Sequence, residues 1–448
     1  MTPIVRFAPS PTGLLHVGNL RVALANALFA RRHGGRFLLR LDDTDRERSK
    51  AEYADGIGQD LRWAGLGWDG MVRQSDRLDR YEAAAARLRE AGLLYPCFES
   101  EAELAAKREA ARRRRMAPIY DRAMLKLTEA QRAAAEANGK VPYWRFKLSG
   151  AIRAWDDLVL GRRQVKTSAI SDPVLIRADG SFLYTFTSVV DDLEMGITHI
   201  IRGEDHITNT GVQLDVFAGL GAAEGAIALG HLPLLTEADG GKLSKRLEAL
   251  SLRSLARDGV MPTALCGYLA RLGTSADPIA ADLDTLARDF EFSRYSASAA
   301  RFDMRQLLAL NRKVLHETEF ADVATRLPEG ADPDFWRAVR GNLDLLSEAR
   351  HWFDVTHNEI APAEMPGETA FLGVALAHLP PEPWDTTTFR AWSGALKAAT
   401  GRTGRTLFHP LRLALTGEDQ GPEMATLLPL MGRARAERRL RAACAEND

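Results

Sequence analysis

Cysteine is scarce in this chain, and Cys97, Cys266 and Cys444 are the only three among 448 residues. They lie far apart and show none of the paired spacings that metal-binding or redox motifs use. A disulfide framework is therefore excluded as the organising feature of the fold. Free, scattered cysteines are typical of reduced compartments, so we expect a cytoplasmic protein.

Long apolar runs are also missing, and neither sign of charge dominates. No stretch is long enough to span a bilayer, and residues 1–6 lack the plan of a signal peptide, so we expect no membrane partner. Lys and Arg number 59 against 60 Asp and Glu, which gives a formal net charge of −1. A global basic field is thereby excluded, and any nucleic acid must be bound through local patches.

The N-terminal segment, by contrast, has the pattern of a βαβ unit. An apolar entry leads into the Pro/Ser/Gly turn at 9–13, and leucines then repeat at helical spacing over 20–28. Glycines end this helix, and residues 36–41 have the composition of a second, buried strand. Nucleotide phosphates dock at the first turn of such a unit. His16 can hold a phosphate oxygen there, and Gly18 lets a ligand approach closely.

A glycine-flanked basic loop at 240–246 supplies a second motif. By itself such a run indicates only a solvated, charged surface. Together with the N-terminal turn, it resembles the "HIGH" and "KMSKS" signatures of class I aminoacyl-tRNA synthetases. Here the signatures read His16-Val17-Gly18-Asn19 and Lys242-Leu243-Ser244-Lys245-Arg246. The resemblance implies that two segments distant in sequence converge on one triphosphate.

Strand and helix patterns also indicate how the chain is organised. They alternate over residues 1–95, give way to a charged surface helix at 100–115, and return near 184. Beyond residue 250 helical periodicity dominates. We therefore predict an α/β catalytic domain with a Rossmann-like parallel sheet, split by an α+β insertion and followed by all-α C-terminal domains.

Further stretches narrow the resemblance to one family. They are residues 6–19, 36–48, 184–192, 196–206 and 242–246, with a weaker match at 404–417. On them the chain resembles the bacterial glutamate–tRNA ligases over nearly its whole length. The resemblance implies that glutamate attacks the α-phosphorus of ATP to give glutamyl-adenylate, and that the terminal adenosine of tRNA(Glu) then takes the glutamyl group. Such chemistry needs positioning and charge neutralisation, and no nucleophilic side chain.

The resemblance also implies which residues form the site. The expected catalytic groups are His16, Lys242 and Lys245. The expected ATP contacts are His16, Gly18, Asn19, Asp205, Leu234, Leu235, Lys242, Ser244 and Lys245. The expected glutamate contacts are Arg6, Ala8, Ser10, Asp42, Tyr184, Ser188 and Arg202. Arg6 and Arg202 are the candidate cations, because guanidinium forks match carboxylates at two points.

The chain departs from the family pattern at a few of these positions. Asp42 stands where the family usually has Glu, so the contact with the α-amino group is expected to be looser or water-bridged. Ser188 replaces a common Asn, which weakens its assignment to the substrate. Some relatives hold zinc in the insertion, but Cys97 has no second cysteine nearby and Met124 stands where another is expected. We predict no structural zinc, and Mg²⁺ accompanying ATP is the only metal expected.

The expected partners are tRNA(Glu) and L-glutamate, bound by a monomer. The resemblance assigns residues 96–183 to acceptor-stem binding, 251–310 to stem contact and 311–448 to anticodon binding. The predicted boundaries are 1–95 and 184–250 for the halves of the catalytic domain, then 311–380 and 381–448 for two helical anticodon-binding subdomains. The candidate tRNA contacts are Arg113, Arg114, Asn342, Arg405 and Arg435.

Other functions stay open at this point. Asn342 lies near a position where some relatives carry an arginine that rejects glutamine tRNA, so a non-discriminating enzyme is one alternative. A truncated paralogue that glutamylates a base within tRNA lacks the anticodon domain, and the long region 310–448 argues against it. A small-acid nucleotidyltransferase leaves the Asp-Asp-Thr-Asp run at 42–45 unexplained. Intact motifs argue against a catalytically inactive tRNA-binding protein.

Overall fold

The computed structural model describes residues 2–45, 47–241, 243, 249–361, 365 and 367–444. The chain divides into two compact units. The first consists of Met1–Ser254 with Cys266–Asp303, and the second of Leu255–Leu265 with Met304–Asp448. In the part of the chain that is described, we find no helix with the length and hydropathy that a bilayer crossing requires.

The N-terminal part of the first unit is the predicted βαβ unit, extended by one more helix and strand. Its elements are β1 (Ile4–Phe7), α1 (Val17–Arg32), β2 (Arg36–Leu41), α2 (Ala51–Trp63) and β3 (Gly70–Arg73). The strands are parallel in the order β1-β2-β3, with Ile4 opposite Arg36 and Leu38 opposite Gly70. Leucines on one face of α1 are buried, as their helical spacing predicts.

The middle of the first unit combines an antiparallel sheet with a return to the parallel one. Its elements are α3 (Leu78–Glu90), β4 (Leu94–Cys97), α4 (Glu101–Arg113), α5 (Glu129–Ala137), β5 (Tyr143–Phe146), β6 (Ile152–Asp157), β7 (Gly161–Lys166), β8 (Val174–Ile176), α6 (Tyr184–Glu194), β9 (His199–Gly203), α7 (Ile207–Gly219) and β10 (Ala228–Leu232). β4, β5 and β8 pair antiparallel. α4 buries none of its residues, which confirms the predicted surface helix.

β9 and β10 bring the chain back beside the N-terminal strands. β10 pairs parallel with β9, and the backbone N–H of Thr198, just before β9, donates to the Ile4 carbonyl at 2.9 Å. The hairpin of β6 and β7 joins the same sheet, since β6 lies parallel to β10 at Leu229 and Asp157. The carboxyl ends of β1, β2, β9 and β10 therefore share one edge, where ligands bind in open α/β sheets.

The first unit closes with β11 (Leu235–Glu237), the helices α8 (Leu252–Asp258), α9 (Pro262–Arg271) and α10 (Leu283–Asp289), and β12 (Ala300–Phe302). α8 and α9 each run across a boundary between the units. β12 pairs parallel with β11. The sequence does not predict this strand, because three residues are too short to show a period.

The second unit is all-α, as predicted. Its helices are α11 (Met304–Glu317), α12 (Phe320–Val323), α13 (Pro333–Val339), α14 (Ala349–His357), α15 (Thr369–Ala377), α16 (Thr388–Thr400), α17 (Arg405–Thr416), α18 (Met424–Met431) and α19 (Arg433–Cys444). One apolar cluster joins residues on both sides of position 380, including Trp336, Trp392 and Leu440. The two indole N–H groups donate to the carbonyls of Thr318 and Ala375, so burial leaves neither unsatisfied.

Candidate active site

His16 is the N-cap residue of α1, and its side chain is held by the first turn of that helix. Its Nδ1 accepts a hydrogen bond from the Gly18 N–H at 3.1 Å, and the Asn19 side chain accepts from the His16 N–H at 3.1 Å. Burial lowers the pKa of His16, so the ring is neutral at pH 7. Because Nδ1 is an acceptor, the proton must lie on Nε2. The N-terminus of α1 thus presents a fixed imidazole donor at the positive end of the helix dipole, an arrangement suited to phosphate.

Gly18 is required by the imidazole ring as well as by any ligand. A Cβ placed at this position would lie 2.9 Å from Cε1 and 3.0 Å from Nδ1 of His16. Any side chain here would displace the ring from its cap. The spacing of His16 and Gly18 is therefore a local steric requirement, and the role predicted for Gly18 in making room for ATP stays a prediction.

The segment that follows the basic loop lies directly against His16. The Val17 N–H donates to the Leu250 carbonyl at 3.2 Å, and the Leu252 N–H donates to the Leu15 carbonyl at 2.9 Å. These bonds form an isolated antiparallel bridge between His16 and Ser251. Lys242, Ser244 and Lys245, which the sequence assigns to ATP, lie outside the described residues.

One side of the site, here named the acidic side, consists of Arg6, Arg40, Asp42, Asp191 and Asp192. Arg40 is fully buried and donates to Asp42 (2.7 and 3.2 Å) and to Asp192 (2.7 Å), while Asp191 lies 3.7 Å from its Nε. Arg6 donates to both oxygens of Asp192, at 2.9 and 3.2 Å. Burial opposes ionisation of Asp192, but the charges of Arg6 and Arg40 hold its pKa below the usual value.

Asp42 lies directly after the end of β2, on this acidic side. Burial raises its pKa to about 6, an effect that the charge and hydrogen bonds of Arg40 only partly offset. Its backbone N–H is tied to the Pro9 carbonyl at 3.0 Å, which fixes it beside the N-terminal turn. A carboxylate has about four acceptor sites, so Asp42 can bind Arg40 and still accept from an ammonium group.

The opposite side, here named the neutral side, surrounds Arg202 with uncharged groups. Nη1 donates to the Tyr184 hydroxyl at 3.2 Å, and Nη2 donates to Thr210 Oγ1 at 2.6 Å and Gln213 Oε1 at 2.7 Å. Nε lies 3.5 Å from His231 Nε2. Among the described residues no carboxylate forms a salt bridge with Arg202, although the residue is only 6% exposed. Burial lowers the pKa of Arg202 accordingly.

Arg6 and Arg202 are predicted to bind carboxylates through paired N–H groups, but those N–H groups already donate to partners within the protein. Arg6 directs Nε and Nη2 at Asp192, and Arg202 directs Nη2 at Thr210 and Gln213. A ligand carboxylate would instead meet an N–H of Arg202 Nη1 and the hydroxyl of Tyr184. That hydroxyl accepts from Nη1, so its own hydrogen is free to donate.

Ser188 acts within the neutral side rather than at its surface. It is fully buried, its hydroxyl donates to the Tyr184 carbonyl at 2.7 Å, and it accepts from Gln213 Nε2 at 2.7 Å. Ser188 therefore orients Gln213, which in turn holds Arg202. His206 packs against the Tyr184 ring at 5.8 Å, and burial and the neighbouring Arg202 lower its pKa to about 4.

The remaining predicted substrate contacts lie around these two sides. Ala8 is half-buried and Ser10 is exposed, within the turn after β1. Asp205 is exposed in the loop after β9, with its carboxylate 3.8 Å from His206 Nε2. Leu234 is 49% exposed and Leu235 begins β11.

The predicted tRNA contacts fall into two groups. Arg113, Arg114, Asn342 and Arg405 are exposed, and Arg113 makes only an intrahelical bond to Glu109 at 3.2 Å. Arg435 instead donates to the carbonyls of Thr356, Met431 and His357 at 2.6 to 2.7 Å. Its guanidinium satisfies carbonyls at and near helix C-termini, and its predicted contact with tRNA stays a prediction.

Cys97, the residue considered above for a zinc site, lies in a polar cluster. Its thiol is 3.6 Å from the Tyr120 hydroxyl, and burial raises its pKa to about 11. Glu99 accepts from Tyr120, Tyr143 and Lys107. Over the described residues there is no group of three metal-binding side chains.

Thr210, Gln213, His231, Asp157 and Arg40 are site residues that the sequence did not single out. Thr210 and Gln213 are three positions apart on α7, so they share a helix face. That three-residue spacing is the one sequence signal that could have indicated Thr210 and Gln213, and many buried helices share it. Arg40 lies within the stretch 36–48 without being singled out, and Asp157 and His231 come from separate strands that carry no sequence motif.

Known proteins match both parts of the chain. Residues 4–309 match the catalytic domain of class I tRNA synthetases (E and Q), and residues 347–444 match an anticodon binding domain. The chain is 61% identical over 439 residues to glutamate–tRNA ligase 2 of Gluconacetobacter diazotrophicus, covering 98% of this chain and 99% of that protein. It is 62% identical over 435 residues to glutamate–tRNA ligase 2 of Acidiphilium cryptum, covering 97% and 98%.

A solved structure extends the match to the fold. The glutamate-tRNA synthetase of Elizabethkingia anophelis shares a TM-score of 0.85 with this chain at 25% identity, over 99% of this chain and 100% of that one. The resemblance inferred from the motifs is confirmed. The chain belongs to the class I tRNA synthetases of the glutamate and glutamine (E and Q) family.

Proposed function

We propose that this chain is a glutamate–tRNA ligase that activates L-glutamate with ATP and transfers it to the 3′-terminal adenosine of tRNA(Glu). The observation that carries the proposal is the buried guanidinium of Arg202, which has only neutral partners beside the Tyr184 hydroxyl. An anionic ligand would complete its electrostatics. Relatives 61% and 62% identical and named glutamate–tRNA ligase support the same activity.

In the first step, the two sides of the site would bind the two ends of glutamate. Arg202 and Tyr184 hold the side-chain carboxylate, and Asp42 accepts from the α-ammonium group. On the acidic side, two hydrogen bonds to Asp192 hold Arg6 in a fixed position beside the proposed glutamate site. The α-carboxylate is then free to attack the α-phosphorus of ATP, forming the acyl–phosphate bond as pyrophosphate leaves.

The N-terminal turn would bind the triphosphate. His16 donates a hydrogen bond from Nε2–H to a phosphate oxygen, and the dipole of α1 adds a fixed partial positive charge. Lys242 and Lys245 neutralise the leaving pyrophosphate in this proposal, because the Leu250–Leu252 segment that follows them is hydrogen-bonded beside His16. Mg²⁺ would arrive with ATP, held mainly by phosphate oxygens and water.

The tRNA contacts are likewise proposals. Exposed Arg113 and Arg114 would contact acceptor-stem phosphates, and exposed Arg405 would contact the anticodon arm. We further propose a monomer that works in the cytoplasm.

The deciding experiment is charging of purified tRNA(Glu) and tRNA(Gln) with radiolabelled glutamate, together with glutamate-dependent exchange of pyrophosphate into ATP, with and without tRNA. We expect glutamyl-tRNA(Glu), and exchange that requires tRNA. Pyrophosphate exchange in the absence of tRNA, together with no glutamate on the 3′-terminal adenosine of tRNA, would indicate the base-modifying paralogue. Product on tRNA(Gln) as well would establish the non-discriminating alternative.

A Lys245→Ala variant tests the role of the basic loop. Removing one electrostatic contact to a transition state lowers kcat by about 10²–10³, with a modest effect on the KM for glutamate. Near-normal turnover would remove this role from Lys245.

A further inference from the structure

A buried chain of hydrogen bonds joins Arg202 to a carboxylate that it does not touch. Arg202 Nη2 donates to Thr210 Oγ1 at 2.6 Å, Thr210 Oγ1 lies 2.8 Å from His231 Nε2, and His231 Nδ1 lies 2.5 Å from Asp157 Oδ2. None of these residues is more than 6% exposed. The chain crosses from α7 to β10 to the end of β6, which are neighbouring elements at the ligand edge of the sheet.

The direction of each hydrogen bond in this chain can be assigned. Asp157 Oδ1 accepts the backbone N–H groups of Leu160 and His231 at 3.0 Å, and Trp155 Nε1 donates to Oδ2 at 3.1 Å. Burial would raise the pKa of Asp157, but these bonds and His231 lower it to about 2. Asp157 is therefore an acceptor only, and His231 Nδ1 must donate to it.

The rest of the chain follows from that donor. Burial lowers the pKa of His231, so the ring is neutral and Nε2 is an acceptor. The Thr210 hydroxyl donates to Nε2 at 2.8 Å, which is shorter than its alternative contact to the His206 carbonyl at 3.1 Å. The oxygen of Thr210 is then left to accept from Arg202. Every donor points away from Arg202 and towards Asp157.

We propose that Thr210, His231 and Asp157 are positioning residues for glutamate, which hold Arg202 and supply its counter-charge at a distance. This proposal rests on the proposed function, in which Arg202 binds the side-chain carboxylate. A carboxylate in direct contact would compete with the substrate, as Asp192 occupies Arg6. A guanidinium with no counter-charge would be costly to bury. A relay through a hydroxyl and a neutral imidazole avoids both outcomes.

The Thr210→Val variant removes the hydroxyl link and leaves only the longer contact of Arg202 Nε with His231 Nε2 at 3.5 Å, while nearly keeping the side-chain shape. We expect the KM for glutamate in tRNA charging to rise roughly tenfold to a hundredfold, the range for a lost hydrogen bond to a charged group. The kcat and the KM for ATP should stay within about twofold, because the phosphate site is untouched. Thr210→Ser keeps the hydroxyl and should restore the KM. Equal KM values for the two variants would show that the hydroxyl makes no difference to glutamate binding, which overturns the relay.

The Asp157→Asn variant tests the far end, with Trp155→Phe as its matched control. Asparagine keeps the Oδ1 acceptor but presents N–H₂ to His231 Nδ1, so the ring must move its proton to Nε2, facing Thr210. We expect a raised KM for glutamate and an Nε2–H tautomer by ¹⁵N NMR of the imidazole. Trp155→Phe removes the other donor to Oδ2 and should change neither reading. An unchanged tautomer and KM in Asp157→Asn would contradict the proposal.

Arg202→Met separates failure of the relay from failure of the glutamate site. A raised KM in Arg202→Met with normal KM in the relay variants leaves the proposed function intact and overturns the relay alone. A normal KM in Arg202→Met overturns the glutamate site itself. Thermal unfolding of each variant shows that the proteins compared are folded.

Discussion

The acidic and neutral sides of the site each bury an arginine, and they use it differently. Arg40 is bound to Asp42 and Asp192 and lies near Asp191, so its charge is compensated inside the protein. Arg202 is nearly as buried but contacts only hydroxyl, amide and imidazole groups. A buried charge in direct contact with carboxylates stabilises geometry, whereas one that contacts only neutral groups is available for a ligand of opposite charge. Exposure alone would not distinguish them.

The largest expected effect is on stability, from Arg40→Met. Removing this cation leaves Asp42 and Asp192 without their shared partner, and breaking a buried pair costs about 3–5 kcal/mol. Urea unfolding should show this loss. Arg202→Met is the matched control, because it leaves only neutral partners, and its free energy of unfolding should change by less than about 1.5 kcal/mol. Equal losses would contradict the distinction between the two sides.

The next largest effect is on glutamate binding, where we expect the substitution on the neutral side to have the greater effect. Arg202→Met should raise the KM for glutamate roughly a hundredfold while leaving the KM for ATP unchanged, since a charged hydrogen bond is lost. Arg202→Lys should restore little, because an ammonium cannot reach Tyr184, Thr210 and Gln213 at once. Steady-state charging kinetics measure both.

A smaller effect should follow from pH on the acidic side. Asp42 must be ionised to accept from an α-ammonium group, and its pKa is about 6. The KM for glutamate should therefore rise as pH falls through 6, by about tenfold at pH 5. Asp42→Asn should show a high KM without that pH step. A step that persists in the variant would assign it to another group.

The smallest effect is expected from Tyr184→Phe on the neutral side. Loss of one neutral hydrogen bond should raise the KM for glutamate about threefold to tenfold, with the unfolding midpoint unchanged. Tyr143→Phe removes a hydroxyl that donates to Glu99, away from the site, and serves as the control. Equal KM changes in the two variants would place Tyr184 outside the glutamate pocket.

Much of this site could be predicted because its residues belong to continuous motifs. Local composition directly predicts the turn that carries His16, the strand that ends just before Asp42, and the strand that carries Arg202. The relay could not, because Asp157 and His231 are 74 positions apart and meet only when β6 packs beside β10. The sequence likewise did not show that Arg435 donates to the carbonyls of Thr356 and His357, because those residues are 79 and 78 positions away along the chain.

Local patterns in the chain were enough to predict the alternating strands and helices of the N-terminal part, the family and the chemical groups that the reaction needs. These follow from periodicity and from motifs within single segments, which act over a few residues. Such patterns leave open which buried arginine contacts carboxylates and which contacts only neutral groups, and the folded arrangement settles it. That choice depends on carboxylates and hydroxyls that arrive from distant strands, because electrostatic partnership in a buried site is set by proximity in space.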